Sequence, residues 1–447
     1  MESYREELKR KTVSAERAAA LVKPDSWLEY GFGVGQPDLF DRALAARIPE
    51  LGKLKIRGCL ALAPRAVTEA DPESRHVRYM SWYFSGLERK LHDHNLCDHV
   101  PMNFGEVPDY YRRFLDSDFA VIKTAPMDAH GFFNFGGAIV YHKAISEKTR
   151  TMVVETDASM PYGFGVENAV HISEVDHVID GGEGRMPELK NAPAGAVDQK
   201  VASLIAGEIE NGACIQIGIG AMPNAVCETL AASPIKELGV HTEMFVDSLI
   251  HLYEAGKVTG EHKRLNRFQM TYTFAAGSAQ LYKFLDRNPL CFGAPVDYTN
   301  LPQNIMQNPR VVAIVNAAQI DLSGQACSES AGLRQISGTG GQLQFVRGAY
   351  ASQGGKAFLC MSSVHEQRGP QGVRRESRIM LKLPEHAIVT TPRTDVMYVV
   401  TEFGIANLKG KSVPERARAL IALAHPDFRE QLERQARECR LIPSGFF

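Results

Sequence analysis

Ile215-Gln216-Ile217-Gly218-Ile219-Gly220-Ala221-Met222-Pro223 is the stretch on which the fold turns. A short apolar run at 213–217 gives way to two glycines and then to a helical pattern at 224–232. A strand, a glycine turn and a helix in that order belong to layered α/β folds. The glycines let backbone approach a ligand, and the following helix N-terminus favours anions. A dinucleotide-binding G-x-G-x-x-G turn is the obvious competitor, but its third glycine is Pro223 here. The pattern also occurs earlier, as Leu28-Glu29-Tyr30-Gly31-Phe32-Gly33-Val34-Gly35-Gln36-Pro37, where Gln36 takes that place. A second pair of copies follows at nearly the same spacing. Val121-Ile122-Lys123-Thr124-Ala125-Pro126-Met127-Asp128-Ala129-His130-Gly131 matches Ile314-Val315-Asn316-Ala317-Ala318-Gln319-Ile320-Asp321-Leu322-Ser323-Gly324. Two related α/β halves are therefore expected, joined near 186–199, where Pro187, Asn191, Pro193 and Gly195 accumulate. The halves are set at 1–190 and 191–447, with an interdomain cleft as the expected ligand site.

The rest of the chain fits this frame. Phe119-Ala120-Val121-Ile122, Met152-Val153-Val154, Val311-Val312-Ala313-Ile314-Val315 and Ile388-Val389 read as buried strands, and 15–22, 198–210, 224–232 and 414–424 as helices. Apolar strands alternating with helices predict open α/β domains with largely parallel sheets. At 447 residues the chain exceeds the size of one hydrophobic core. Its 44% hydrophobic and 23% charged residues are ordinary for a globular protein. A net charge of −2 gives no reason to expect a nucleic acid or an anionic membrane as partner. No apolar run approaches the roughly 18 residues of a membrane span. The charged N-terminus does not read as a secretory signal, so the cytoplasm is the default compartment. None of the eight cysteines forms a C-x-x-C pair, and Cys214 and Cys360 lie among apolar residues, which predicts free buried thiols.

Several segments could carry chemistry. His241-Thr242-Glu243-Met244 puts a carboxylate after a strand-like stretch, at the sheet edge where open α/β folds bind ligands. Taken alone, Glu243 would more readily start a helix or hold an ion pair, and His241 would more often pack or hydrogen-bond. Ser337-Gly338-Thr339-Gly340-Gly341-Gln342, with Lys356 downstream, suits an anionic or pantetheine ligand lying along backbone N–H groups, and equally a surface loop. His92, His94, Cys97, Asp98 and His99 offer metal-ligand types without a zinc spacing, and the nearby Tyr83, Phe84, Met102 and Phe104 favour a packed polar-aromatic patch. No metal site is expected. Asp128 and Asp321 occupy matching positions of the two copies, which points to turn chemistry in both.

Together these segments resemble the acetyl-CoA hydrolase/transferase family, in particular its 4-hydroxybutyrate and butyrate-type CoA-transferases. The resemblance runs along nearly the whole chain. It includes Gly218 through Val226, His241-Thr242-Glu243-Met244, Ile320-Asp321-Leu322-Ser323-Gly324-Gln325, Thr390-Thr391-Pro392-Arg393 and Val399-Val400-Thr401-Glu402-Phe403-Gly404. It implies two α/β CoA-transferase domains and a homo-oligomer, with an acyl-CoA and a small carboxylic acid as substrates. No tightly bound cofactor is implied; coenzyme A is substrate and covalent intermediate. Glu243 would be the nucleophile, forming an acyl anhydride and then a glutamyl-CoA thioester. Gly218, Gly220, Ala221, Met222, Pro223 and Asn224 would bind CoA, as would Gly338, Gly340, Gly341 and Lys356. Internal symmetry alone places the acyl group at Gly31, Gly33 and Gln36, with the missing side chains at 31 and 33 leaving room for it. Acyl-CoA hydrolysis, a succinyl-CoA:itaconate-type dicarboxylate CoA-transferase and a non-catalytic acyl-CoA binder are the alternatives, and Glu402 is the reserve nucleophile.

Overall fold

Every residue of the strand Phe119–Thr124 is buried, as expected of a strand covered on both faces. The computed structural model describes residues 3–189, 193–369 and 372–445. Its contacts form two units. The first comprises Met1–Lys190, Thr242–Asp247 and Gln269–Asn300, and the second Asn191–His241, Ser248–Phe268 and Leu301–Phe447. A single boundary at 190/191 thus describes these units incompletely. Two later segments return to the first unit, and they take Glu243 with them. Backbone pairing is the cause: Met244–Phe245 pairs with Phe274–Ala275, Ala138 bridges Phe274, and Ile139 N–H donates to the Thr273 carbonyl at 2.9 Å.

The first unit holds an eight-stranded sheet, parallel throughout. In spatial order its strands are Thr12–Val13, His177–Asp180, Thr151–Thr156, Phe119–Thr124, Trp27–Phe32, Leu54–Cys59, Val77–Ser81 and Cys97–His99. The second unit holds six strands: Gly239–Val240, Cys214–Ile217, Val311–Asn316, Lys356–Cys360, Tyr398–Thr401 and Gly404–Asn407. Only the last pair is antiparallel. Tyr30, Phe40, Val121 and Val153 share one core, and Ala313, Phe345, Leu359 and Leu420 another.

The sequence repeat is matched strand by strand. Leu28 pairs with Phe119 and with Ile56, while its counterpart Ile215 pairs with Val312 and Val240. Tyr30 pairs with Val121, and its counterpart Ile217 with Ile314, the counterpart of Val121. Moving outward, Phe119 pairs with Thr151 and Val153 with His177; correspondingly, Val312 pairs with Lys356 and Phe358 with Tyr398. Register is fixed by which face each side chain must bury, so agreement across these strands marks one architecture used twice. The turns agree as well. Asp128 Oδ1 accepts N–H bonds from His130 and Phe132, and Asp321 Oδ1 from Ser323 and Gln325, each closing on a glycine of positive φ, Gly131 or Gly324.

One strand expectation fails. Ile388 and Val389 lie in a loop, 41% and 39% exposed, and Ile388 N–H donates to Ser330 Oγ. A two-residue apolar run between Pro384 and Pro392 has no ladder to join. Seven of the eight cysteines are buried, and all are free thiols. Among the described residues, no helix is long and apolar enough to cross a membrane.

Two buried carboxylates give the first unit a pH response. Glu29 and Glu88 are wholly buried, and loss of solvent pushes both up to about 7. Glu88 caps its helix by accepting Ser85 N–H at 2.8 Å, while its Oε1 has no partner. Between about pH 4.5 and pH 7 the folded chain retains this proton and the unfolded chain releases it. Stability therefore falls as pH rises through that window. Replacing Glu88 with glutamine keeps the Ser85 bond and removes the ionisation. Urea unfolding of Glu88→Gln is expected to show a flatter pH dependence, with a gain on the order of 3 kcal/mol at pH 8.

Candidate active site

Glu243 is half-buried and immediately precedes the short strand Met244–Phe245. Its carbonyl accepts the N–H groups of Thr273 and Phe274, at 3.1 and 3.3 Å, so the backbone is pinned on both sides of the carboxylate's root. Asn300 Nδ2 donates to Glu243 Oε2 at 2.6 Å. Asn300 is completely buried at the end of the helix Val296–Asn300, and its Oδ1 accepts Thr299 Oγ1–H at 2.8 Å. The threonine fixes which end of the amide faces the glutamate, and the amide fixes the carboxylate. A neutral donor orients the carboxylate without neutralising it, as a guanidinium would. Asn300→Ala should lower kcat by about 10- to 100-fold, the cost of one hydrogen bond to a charged group, with little change in KM for acyl-CoA. Steady-state kinetics on both substrates check this.

In the second unit both glycine segments fall at the same sheet edge. Gly218 and Gly220 follow the C-terminal end of Cys214–Ile217 and lead into the helix Ala221–Ala232. Gly338, Gly340 and Gly341 lead into the helix Gln342–Ala351, whose crossover runs back to the parallel strand Lys356–Cys360. Neither helix has a side-chain cap, whereas Ser3 and Ser85 cap other helices of the chain. Uncapped first-turn N–H groups remain available to a ligand. Gly220 (φ 125°) and Gly340 (φ 55°) adopt conformations that favour glycine. Gly218, Ala221 and Asn224 are partly exposed, while Met222 and Pro223 are buried in helix packing.

Lys356 does not join this group. It begins its strand, so in a parallel sheet it lies at the edge opposite the glycines. Its Nζ donates to the Glu208 carbonyl at 2.8 Å and to Glu208 Oε2 at 3.1 Å. The room expected at Gly31 is also filled: a Cβ there would lie 2.1 Å from the Gly35 carbonyl oxygen and 3.2 Å from His142 Nε2. That histidine accepts Phe32 N–H at 2.9 Å, and burial pushes its pKa down to about 3. Gly33 answers a conformational need instead (φ 53°), with no atom closer than 4.0 Å to its absent side chain. Gln36 is buried; its Nε2 donates to the Cys59 carbonyl at 3.3 Å and to Tyr79 Oη at 3.4 Å, and its Oε1 has no partner.

His92 and His94 engage the carbonyls of Cys97 and Lys90, and Phe84 packs on His92 and His99. Glu402 accepts both the N–H and the Oγ–H of Ser363, a structural placement. His241 packs against Phe345. Thr390 and Thr391 are buried and hydrogen-bonded around the second glycine loop. Asn300 and Thr299 were not foreseen from the sequence. A Thr-Asn pair carries no signal until folding brings it to Glu243 from 57 residues away.

Residues 1–187 match the acetyl-CoA hydrolase/transferase N-terminal domain and 277–436 the acetyl-CoA hydrolase/transferase C-terminal domain. The chain belongs to the acetyl-CoA hydrolase/transferase family. Within that family it is 45% identical to the butyryl-CoA:acetate CoA-transferase of Anaerostipes caccae, over 98% of each chain. It is 36% identical to the 4-hydroxybutyrate coenzyme A transferase of Clostridium kluyveri, over 96% of this chain and 98% of that one. RipA from Yersinia pestis superposes with a TM-score of 0.90 at 34% identity, over 99% of this chain and 100% of that one. This member of the acetyl-CoA hydrolase/transferase family is a CoA-transferase acting between acyl-CoA and carboxylate.

Proposed function

We propose that the enzyme moves CoA from a short-chain acyl-CoA to a small carboxylate, with acetyl-CoA and butyrate or 4-hydroxybutyrate as the favoured pair, through a glutamyl-CoA thioester on Glu243. The observation that carries this reading is the carboxylate itself, half-buried and oriented by Asn300. Glu243 attacks the thioester carbonyl, the C–S bond breaks, and CoA thiolate leaves an acyl-glutamyl anhydride. The thiolate then attacks the glutamyl carbonyl and expels the donor acid as its carboxylate. The acceptor carboxylate repeats these two steps in reverse and regenerates Glu243. Each step exchanges one carboxylate or thiolate for another, so no proton has to be moved. A carboxylate nucleophile also retains the activation of the thioester, which a serine ester would partly lose.

The uncapped glycine segments of the second unit suit the CoA ester. Backbone N–H groups near Gly340 and Gly341 would stabilise the thioester oxyanion, an effect typically worth about 2.7–4 kcal/mol per donor. The test is a donor–acceptor panel read by mass spectrometry, with borohydride or hydroxylamine trapping mapped to Glu243. Loss of thioester at equal rate without a carboxylate acceptor would make the enzyme a hydrolase instead.

A further inference from the structure

Glu329 is 3% exposed, and the donors its carboxylate receives are neutral. Thr390 Oγ1–H donates to Oε1 at 3.0 Å, while Gln335 Nε2 and Thr339 Oγ1 donate to Oε2 at 3.3 and 3.4 Å. Burying a carboxyl group away from water and from any cation is expensive, so its retention here calls for a reason beyond filling space. The surroundings supply one. Thr339 is the middle residue of the second glycine loop. The Glu329 carbonyl also accepts the N–H groups of Ile336 and Ser337, at 2.8 and 3.3 Å, where that loop begins. Ser337 Oγ–H donates to the carbonyl of the adjacent Ser328 at 3.2 Å. At the far end, Gln342 Nε2 donates to Thr391 Oγ1 at 3.0 Å, and Thr390 next to it bonds Glu329. The loop is thus tied at its entry, its middle and its exit, and Glu329 takes part in the first two ties.

We propose that Glu329 is a positioning residue, whose buried carboxylate holds Thr339 and thereby aims the backbone N–H groups of Gly340 and Gly341 at the reacting thioester. The proposal rests on the reading of that loop as an oxyanion site. Only a carboxylate fits the role. It presents about four lone-pair sites and no hydrogen, so it accepts from two hydroxyls and an amide together. A glutamine of the same size would turn two of its own N–H groups toward those donors. The loop would then move by a fraction of an ångström, and displacement on that scale at a reacting centre can cost up to about 100-fold in rate.

Glu329→Gln is the decisive variant, with Thr339→Val as a milder one that removes a single donor from within the loop. Each is assayed for kcat and KM toward acyl-CoA, for the rate at which the trappable glutamyl adduct appears, and for melting temperature. The expected result is a roughly 10- to 100-fold fall in kcat and in adduct formation for Glu329→Gln, with KM changed less than about threefold. A smaller fall in the same direction is expected for Thr339→Val, which carries the test alone if the glutamine variant does not fold. Unchanged turnover, or a raised KM at full kcat, overturns the proposal. Failure to trap any adduct in the unaltered enzyme strikes the glutamyl mechanism instead, so the two failures are distinguishable.

Discussion

Glu243→Ala should reduce CoA transfer by at least about 10³-fold while leaving the fold in place, because under the proposed mechanism the reaction loses its nucleophile and not merely a binding contact. The backbone of residue 243 is pinned through its carbonyl, which accepts from Thr273 and Phe274 regardless of the side chain. The carboxylate is only half-buried, so its removal leaves no deep cavity, although Asn300 Nδ2 loses its acceptor. A melting temperature within a few degrees of the unaltered enzyme, together with loss of any borohydride-trapped adduct, is the expected pattern. Glu243→Asp separates geometry from charge: it keeps the carboxylate but withdraws it by one methylene, beyond the reach of Asn300. Undiminished turnover in the alanine variant would remove Glu243 from the mechanism.

The second large effect concerns stability. Arg57 and Glu29 form an ion pair at 5% and 0% side-chain exposure. Tyr111 Oη–H donates to Glu29 Oε2 at 2.6 Å, Arg57 also donates to the Asp116 carbonyl at 2.9 Å, and its guanidinium lies 4.0 Å from the Trp27 ring centroid. Arg57→Met should destabilise the first unit by about 3–5 kcal/mol, since it strands a buried carboxylate. The remaining group can escape by taking up a proton. Burial already pushes Glu29 up to about 7, and without the arginine its pKa moves higher still. The deficit should therefore grow as pH rises past 7 and shrink toward pH 5. Guanidinium unfolding at pH 5.5 and 8.5 measures that difference directly; equal losses at both values would refute it.

What could be read in advance followed the physics of local pattern. The paired strand–glycine–helix units and the paired Asp turns are local, periodic signals, and the registers reproduce them strand by strand. The family was legible because a whole ordered set of motifs carried it, from Gly218 through Glu243 to Glu402. The failures share one cause, which is that position in space was inferred from closeness in sequence. Lys356 lies near the second glycine loop along the chain, but a helical crossover separates them, and a crossover carries the chain from one edge of a parallel sheet to the other. Gly31 was read as space, yet the chain fills that space with its own Gly35 and His142. Asn300 and Glu329 were invisible because their roles come from partners brought together only by folding. The return of 242–247 to the first unit was equally hidden, since a two-residue strand such as Met244–Phe245 carries no periodicity.

The shared register also bears on how many working sites one chain can have. Counting from the paired residues Ile56 and Val240, Arg57 corresponds to His241, and there the two copies part. In the first copy the strand runs on to Cys59, a buried thiol whose Sγ–H points to the Tyr83 carbonyl, whereas in the second the chain leaves after His241 and carries Glu243 back to the first unit. Duplication supplied two matching strands, and the early departure of one of them is the point at which the copies cease to be equal. If the proposed glutamyl mechanism holds, the stoichiometry of labelling is one glutamate for each polypeptide, because only one copy releases its chain in this way.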